Sequence, residues 1–153
     1  KKNIIKKFPI KIKSNGEWLY KDNLIKKAAL IKLFSSVLVV DEKKQFYLET
    51  PAEKGMIEVE DEPFVITNFN VKGLNKNQKI TFKTNIDETI ILSKKNPLFY
   101  KKKNKGFVPY IVIKKNINAK ILRPVYYQLI NKFIKLNSKK NLKIRSKGYE
   151  FNL

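Results

Sequence analysis

Near its start the chain alternates: Phe8, Ile10 and Ile12 take every second position, with Pro9, Lys11 and Lys13 between them. Such period-two patterning describes a strand with one covered face. Ser14-Asn15-Gly16 then supplies a tight turn, since Asn and Gly both tolerate a positive φ, and Trp18-Leu19-Tyr20 opens a second strand. Trp18 is expected as a core anchor beside that turn. The period changes next. Leu30, Leu33, Phe34, Val37 and Leu38 form one apolar stripe on a helix over about Lys26 to Leu38. Asp41 to Lys44 reads as a turn, and Phe46 to Glu49 as a strand.

A turn at Thr50-Pro51 and Gly55 leads into a strand from Ile57 to Asp61, closed by Pro63. Ile57 and Val59 face one way on it, and Glu58, Glu60 and Glu62 the other. The acidic face is either the wall of a site or a solvated strand face. Further strands follow at Phe64 to Val71, Lys79 to Asn85, Thr89 to Leu92, Pro97 to Tyr100 and Tyr110 to Ile113. Asn85 to Glu88 is a polar turn. A second helix begins at Pro124, a residue suited to a first turn, and runs to about Leu136. Shifted by 96 positions, the second helix lies over the first: Leu30, Leu33 and Phe34 meet Tyr126, Leu129 and Ile130. The chain therefore reads as α+β, two related β–α units, each a small mostly antiparallel sheet packed by one amphipathic helix. The boundaries are 1–64 for a β–α–β unit, 65–136 for a β-rich unit ending in a helix, and 137–153 for a basic tail.

Composition narrows the chemistry. A length of 153 residues with 42% hydrophobic positions suits one domain or two small subdomains. With no Cys and no His, the sequence lacks thiol nucleophiles, disulfides, imidazole bases and thiolate or imidazole metal sites. Phosphate-binding Gly-rich loops are missing too. Carboxylates, Lys, Tyr and oxygen-ligated hard cations remain. The lysine-rich start has no apolar core behind it, so a signal peptide is not expected, although the lack of an initiator Met points to residues upstream. No apolar run reaches membrane-span length, and the cytoplasm is the expected compartment.

The formal net charge is +21, from 34 Lys and Arg against 13 Asp and Glu. Only Arg123 and Arg145 are arginines, and the abundance of Lys, Asn and Ile matches an AT-rich coding sequence. Nucleic-acid readers favour Arg, whose fork binds phosphate and guanine bidentately. Against that, no acidic residue stands between Glu88 and Glu150, and base composition alone does not expel Asp and Glu. Six of the 13 acids (Glu49, Glu53, Glu58, Glu60, Asp61, Glu62) are gathered instead around the central strand.

Several blocks, taken in order, resemble a known family. They are Asn15-Gly16-Glu17-Trp18, Ile25 to Phe34, Tyr47 to Lys54 with its Thr-Pro-x-Glu-Lys core, and Ile57 to Phe64. Ile80-Thr81-Phe82-Lys83-Thr84-Asn85 with Asp87 follows, then Pro109-Tyr110 through Arg123-Pro124 to Leu129. Over roughly Phe8 to Leu136 the chain is similar to the proteobacterial domain-of-unknown-function family 1285. That resemblance implies an α+β fold with repeated motifs, no established biochemical activity, and a suggested role in regulation or signal transduction. The chain departs from the family in its lysine-rich start, in Lys27 and Lys83 where the family tends to carry Arg, and in its lysine-rich end.

The candidate ligand-binding residues are Thr50, Glu53 and Lys54 on one turn, Thr84, Asn85 and Asp87 on another, and Arg123 at a helix mouth. Turns positioned by a sheet collect binding groups, though Thr-Pro and Asn/Asp also serve turn geometry alone. Arg123 is suited to a bidentate bond with a carboxylate of the acidic strand. The favoured reading is a non-catalytic binding or regulatory module for a small molecule or protein near the junction of the units, with no catalytic residue, metal or cofactor assigned. One alternative is a hydrolase using Glu53 or Asp87 as general base with Mg²⁺. Another is non-specific nucleic-acid binding through the lysine-rich C-terminal half.

Overall fold

The computed structural model describes residues 5–134 and 142–153. They fall into two compact units, Lys1–Pro63 and Phe64–Leu153.

The N-terminal unit comprises β1 (Ile5–Ile12), β2 (Trp18–Tyr20), β3 (Asn23–Leu24), α1 (Ala28–Ser36), β4 (Leu38–Val40), β5 (Phe46–Glu49) and β6 (Lys54–Val59). Its six-stranded sheet has the order β3-β2-β1-β6-β5-β4, two antiparallel meanders joined by the parallel pair β1–β6. Pro9 lies inside that central strand, and the β1–β6 register shifts between Lys7 and Lys11. Proline has no N–H to give the ladder, so it sits where the ladder is irregular. The first hairpin follows the sequence reading, with one difference. Only Gly16 takes a positive φ, at 91°. Asn15 contributes through its side chain, whose Oδ1 accepts from the Glu17 N–H at 3.0 Å.

The C-terminal unit contains β7 (Phe64–Lys72), β8 (Lys79–Thr84), β9 (Thr89–Ile91), β10 (Leu98–Lys103), β11 (Gly106–Lys114), β12 (Ile117–Ile121), α2 (Arg123–Ile134), β13 (Lys143–Ser146) and β14 (Tyr149–Asn152). Its main sheet runs β10-β11-β12-β7-β8-β9. Again two antiparallel meanders meet in a parallel pair between the first strand and the sixth, β7 and β12. The duplication is real and the sheet carries it. Strand for strand the offset is near sixty positions, β1 starting at Ile5 and β7 at Phe64. The helices enter at different points, α1 after the third strand of its unit and α2 after the sixth. The 96-position match between helices therefore reflects a shared amphipathic period and not the register of the repeat.

The helices also differ in cover. Val125, Leu129 and Phe133 of α2 are buried at i, i+4 and i+8, and the helix lies against β7. None of α1 is buried. Val37 and Leu38, expected as its last turn, are its C-cap and the start of β4, because the run Val37-Leu38-Val39-Val40 is rich in β-branched residues and pairs with Phe46–Leu48. The lysine-rich C-terminal stretch, 137–153, offers the sequence reader only a basic tail. Residues 135–141, including the expected end of the second helix, lie outside the described residues. From Leu142 onward the chain forms the β13–β14 hairpin, fixed to its unit through buried Ser146. The Ser146 hydroxyl donates to the Leu92 carbonyl at 2.6 Å and accepts from the Ile80 N–H at 2.9 Å. Gln78 adds a bond to the Arg145 carbonyl at 2.7 Å.

Candidate functional site

The turn between β5 and β6 holds the first candidates. Glu53 N–H donates to Thr50 Oγ1 at 3.2 Å, and the Thr50 N–H donates to the Glu53 carbonyl at 2.9 Å. Thr50 thus closes its own turn, as an ST-motif does. The Glu53 carboxylate pairs with Lys6 at 3.1 Å, both exposed. Lys54 lays its ammonium over the Tyr47 ring, 4.6 Å from the centroid. Lys6, Glu49, Thr50, Glu53 and Lys54 line a hollow of about 140 Å³, the volume of a few waters. Gly55, expected in this turn, lies instead in β6. The Phe8 ring of β1 covers it so closely that a methyl group there would collide with the ring.

The second turn, between β8 and β9, is equally self-contained. Buried Thr84 accepts at its hydroxyl from the Ile86 and Glu88 N–H groups at 3.3 and 3.2 Å. The Asn85 N–H donates to the Val65 carbonyl at 3.0 Å, and its Oδ1 accepts from the Val65 N–H at 3.2 Å. Asn85 thereby caps the start of β7. Asp87 holds a positive φ of 64° and pairs with Lys83 at 3.6 Å. Glu53 and Asp87 belong to different units, each with a lysine of its own unit. Among the described residues no group of three or more carboxylates stands together to hold a metal ion.

The acidic strand also finds its partners locally. Lys11 bridges Glu58 at 3.4 Å and Glu60 at 3.3 Å. The Ser14 N–H at 2.8 Å, and then Lys11, hold the Glu60 carboxyl below its ordinary range. Glu62, expected on the outward face, is instead buried, and Lys44 meets it at 3.1 Å. The reason is that β6 ends at Val59, so period-two alternation no longer governs position 62. A second local knot passed unnoticed in the sequence. The Asp41 carboxylate accepts from the Lys43 and Gln45 N–H groups and the Tyr47 hydroxyl, each at 2.9 Å. The Asx-turn spacing was there to read; the Tyr47 bond needed the β4–β5 pairing.

Arg123 is the exception among the candidates. As the first residue of α2 it lines a hollow of about 470 Å³ with Lys105, Lys120, Phe107, Tyr126 and Tyr127. Three cationic side chains and three aromatic rings share this lining, and no carboxylate does. Tyr126 is anchored at its back. Its hydroxyl lies 3.2 Å from that of Tyr100, which donates to the Asn152 carbonyl at 3.0 Å. Burial first, and the Tyr126 bond second, hold the Tyr100 hydroxyl well above its ordinary range, so it stays a donor. Sequence reasoning found Arg123 and the lysine loop that holds Lys105, did not join them or Phe107 into one site, and missed Lys120 because β12 was not recognised. Its alternation Ile117, Ala119, Ile121 was the available signal.

This duplicated sheet arrangement defines a class of α+β protein built from two six-stranded units of matching strand order. The chain belongs to the DUF1285 family. Residues 2–62 match the model described as "Domain of unknown function (DUF1285), N-terminal domain", and residues 63–153 match "Protein of unknown function (DUF1285), C-terminal domain". Among solved structures it is similar to a DUF1285 family protein from Silicibacter pomeroyi DSS-3. That likeness has 28% identity and a TM-score of 0.85, covering 99% of this chain and 83% of the other. A second, from Shewanella baltica OS155, shares the fold at 24% identity and a TM-score of 0.62, over 82% of this chain and 92% of that one. Comparison with curated proteins finds no match. No helix among the described residues is long and apolar enough to cross a membrane.

Proposed function

We propose that the protein is a non-catalytic binding module, and that the hollow at the mouth of α2 takes an anionic ligand carrying a flat ring. The observation that carries this reading is the lining itself: Lys105, Lys120 and Arg123 with Phe107, Tyr126 and Tyr127, and no acidic group. A volume of about 470 Å³ suits a small molecule with one ring. The guanidinium offers a bidentate fork to phosphate or carboxylate, and the rings offer stacking faces. A regulatory role follows if ligand occupancy governs a partner, in keeping with the family resemblance. The metal-assisted hydrolase has less support, since Thr50, Thr84 and Asn85 are engaged in turn geometry and Glu53 and Asp87 in separate ion pairs.

Thermal-shift titration with nucleoside monophosphates and with inorganic phosphate tests the site. Saturable stabilisation by a ring-bearing anion, greater than by phosphate alone and lost in Arg123→Gln, is expected. A shift that is unchanged in Arg123→Gln refutes it. Nucleic-acid binding is the second reading, favoured by the exposed Lys102, Lys103 and Lys105 on the β10–β11 hairpin. It requires affinity for single strands of any sequence to fall log-linearly with salt.

A further inference from the structure

We infer that the face formed by α1 and the β2–β3 hairpin is a docking groove for an acidic amphipathic helix of a partner protein. This surface belongs to the N-terminal unit and is independent of the hollow at α2. Its first support is the failure of α1 to bury its apolar stripe. Leu33 is 60% exposed and Leu30 36%, while the hairpin beside them leaves Tyr20 and Leu24 at 46% and 45%. An amphipathic helix is held in place mainly by the cover on its apolar face, and in α1 that cover is partial: Ile31 and Phe34 are half-buried and no residue is fully buried. Between helix and hairpin runs a concave groove of about 410 Å³ lined by Tyr20, Leu24, Ile25, Leu30 and Phe34. Its floor is firm, because Phe34 stacks on buried Trp18 with ring centroids 6.1 Å apart.

Charge selects the occupant. Lys21, Lys26, Lys27 and Lys32 stand exposed around the apolar strip, with Asp22 the one carboxylate in the span from Lys21 to Ser36. Lys26 and Lys27 precede the first turn of α1, where the helix dipole disfavours a cation, and no acidic residue occupies that turn. Carboxylates from a partner would offset both. A second copy of this chain would bring the lysine rim against itself and add a net charge of +21 to another. A flat lipid surface suits a convex apolar wedge better than a groove. Side chains at i, i+3 and i+4 of a helix fill a groove of this shape, and acidic residues flanking them reach the lysines.

The test uses the full chain and a fluorescent amphipathic peptide of about 18 residues with a leucine stripe flanked by glutamates. A scrambled peptide of the same composition and a version with lysine in place of glutamate serve as controls. Saturable binding of the acidic amphipathic peptide, accompanied by a change in the emission of the protein's single tryptophan, is expected. Leu30→Glu in the groove and Leu33→Glu beside it should each weaken binding about tenfold or more. Leu33→Glu is exposed enough to leave melting unchanged, so loss of binding there is not loss of fold. Lys27→Glu should weaken the acidic peptide and strengthen the lysine version. Equal binding of the scrambled peptide, or binding that survives both leucine substitutions, overturns the proposal. So does a dimer of the free chain dissolved by Leu33→Glu, which would make a second copy the occupant. Sedimentation with anionic vesicles that Leu33→Glu abolishes, without peptide binding, would assign the face to a membrane.

Discussion

At the scale of single residues, the side chains that looked most chemical are mostly occupied with local structure, and two that looked ordinary matter more. Trp18 was legible as a core anchor, because a lone large aromatic after an Asn-Gly turn has few other uses. Glu62 was not, because its burial depends on where β6 stops. Asp41 yields a pH prediction. Its carboxyl is held below the ordinary range, first by the Gln45 N–H and then by the Tyr47 hydroxyl and the Lys43 N–H. A carboxyl depressed in the folded state contributes stability that is complete above its unfolded value and lost as pH falls through the folded one. Glu60 acts in the same direction. In urea unfolding, Asp41→Asn should be less stable than the parent at neutral pH, and the gap should narrow as the pH falls below the ordinary carboxylate range. A gap of constant size would mean the carboxylate charge is irrelevant. Gly55 supplies a second test, since a methyl there meets the Phe8 ring. Gly55→Ala should cost about 1–3 kcal/mol by overpacking, and Phe8→Leu should recover part of it.

At the scale of elements, the sequence announced strands and helices where period and turn chemistry agreed, and failed where tertiary pairing decided. The β8–β9 turn, the first hairpin and the start of α2 were readable from Asn, Gly and Pro alone. Strand β4 was absorbed into the helix because Val37 and Leu38 fit the stripe; only the pairing with β5 distinguishes the two. Strand β3, two residues long, carries no periodic signal. The two helices share a stripe in sequence but not in cover, and that difference is measurable. Leu129→Ala, in the buried stripe of α2, should destabilise by about 2–5 kcal/mol. Leu33→Ala, on the open face of α1, should change stability by no more than about 0.5 kcal/mol. Comparable losses at both positions would show that α1 is covered in solution. Ser146 offers an element-scale check on the β13–β14 hairpin. Ser146→Ala leaves the Leu92 carbonyl and the Ile80 N–H without their buried partner, for an expected cost of about 1–3 kcal/mol.

At the scale of the whole molecule, the division into units separates two explanations of the charge that the sequence left entangled. The N-terminal unit holds 13 of the 34 Lys and Arg residues in 63 positions, and the C-terminal unit 21 in 90, so cation density is nearly even. Base composition suffices for that. The acids are not even: ten of the 13 lie in the N-terminal unit, leaving it at +3 and its neighbour at +18. Carboxylates of the first unit pair with Lys6, Lys11 and Lys44, whereas the second has only Asp87, Glu88 and Glu150 to set against 21 cations. A region so charged repels itself in the folded state, and salt relieves the repulsion by screening. Native-state hydrogen exchange resolves the two units, because each carries its own sheet core. Raising ionic strength from about 0.02 to 0.5 M should slow exchange in the core of β7, β8 and β12 and leave β1, β5 and β6 nearly unchanged. If the unit of +18 gains no protection from salt, its cations stand far enough apart in solvent that they scarcely repel one another, and an anionic ligand at Arg123 would lose its electrostatic motive.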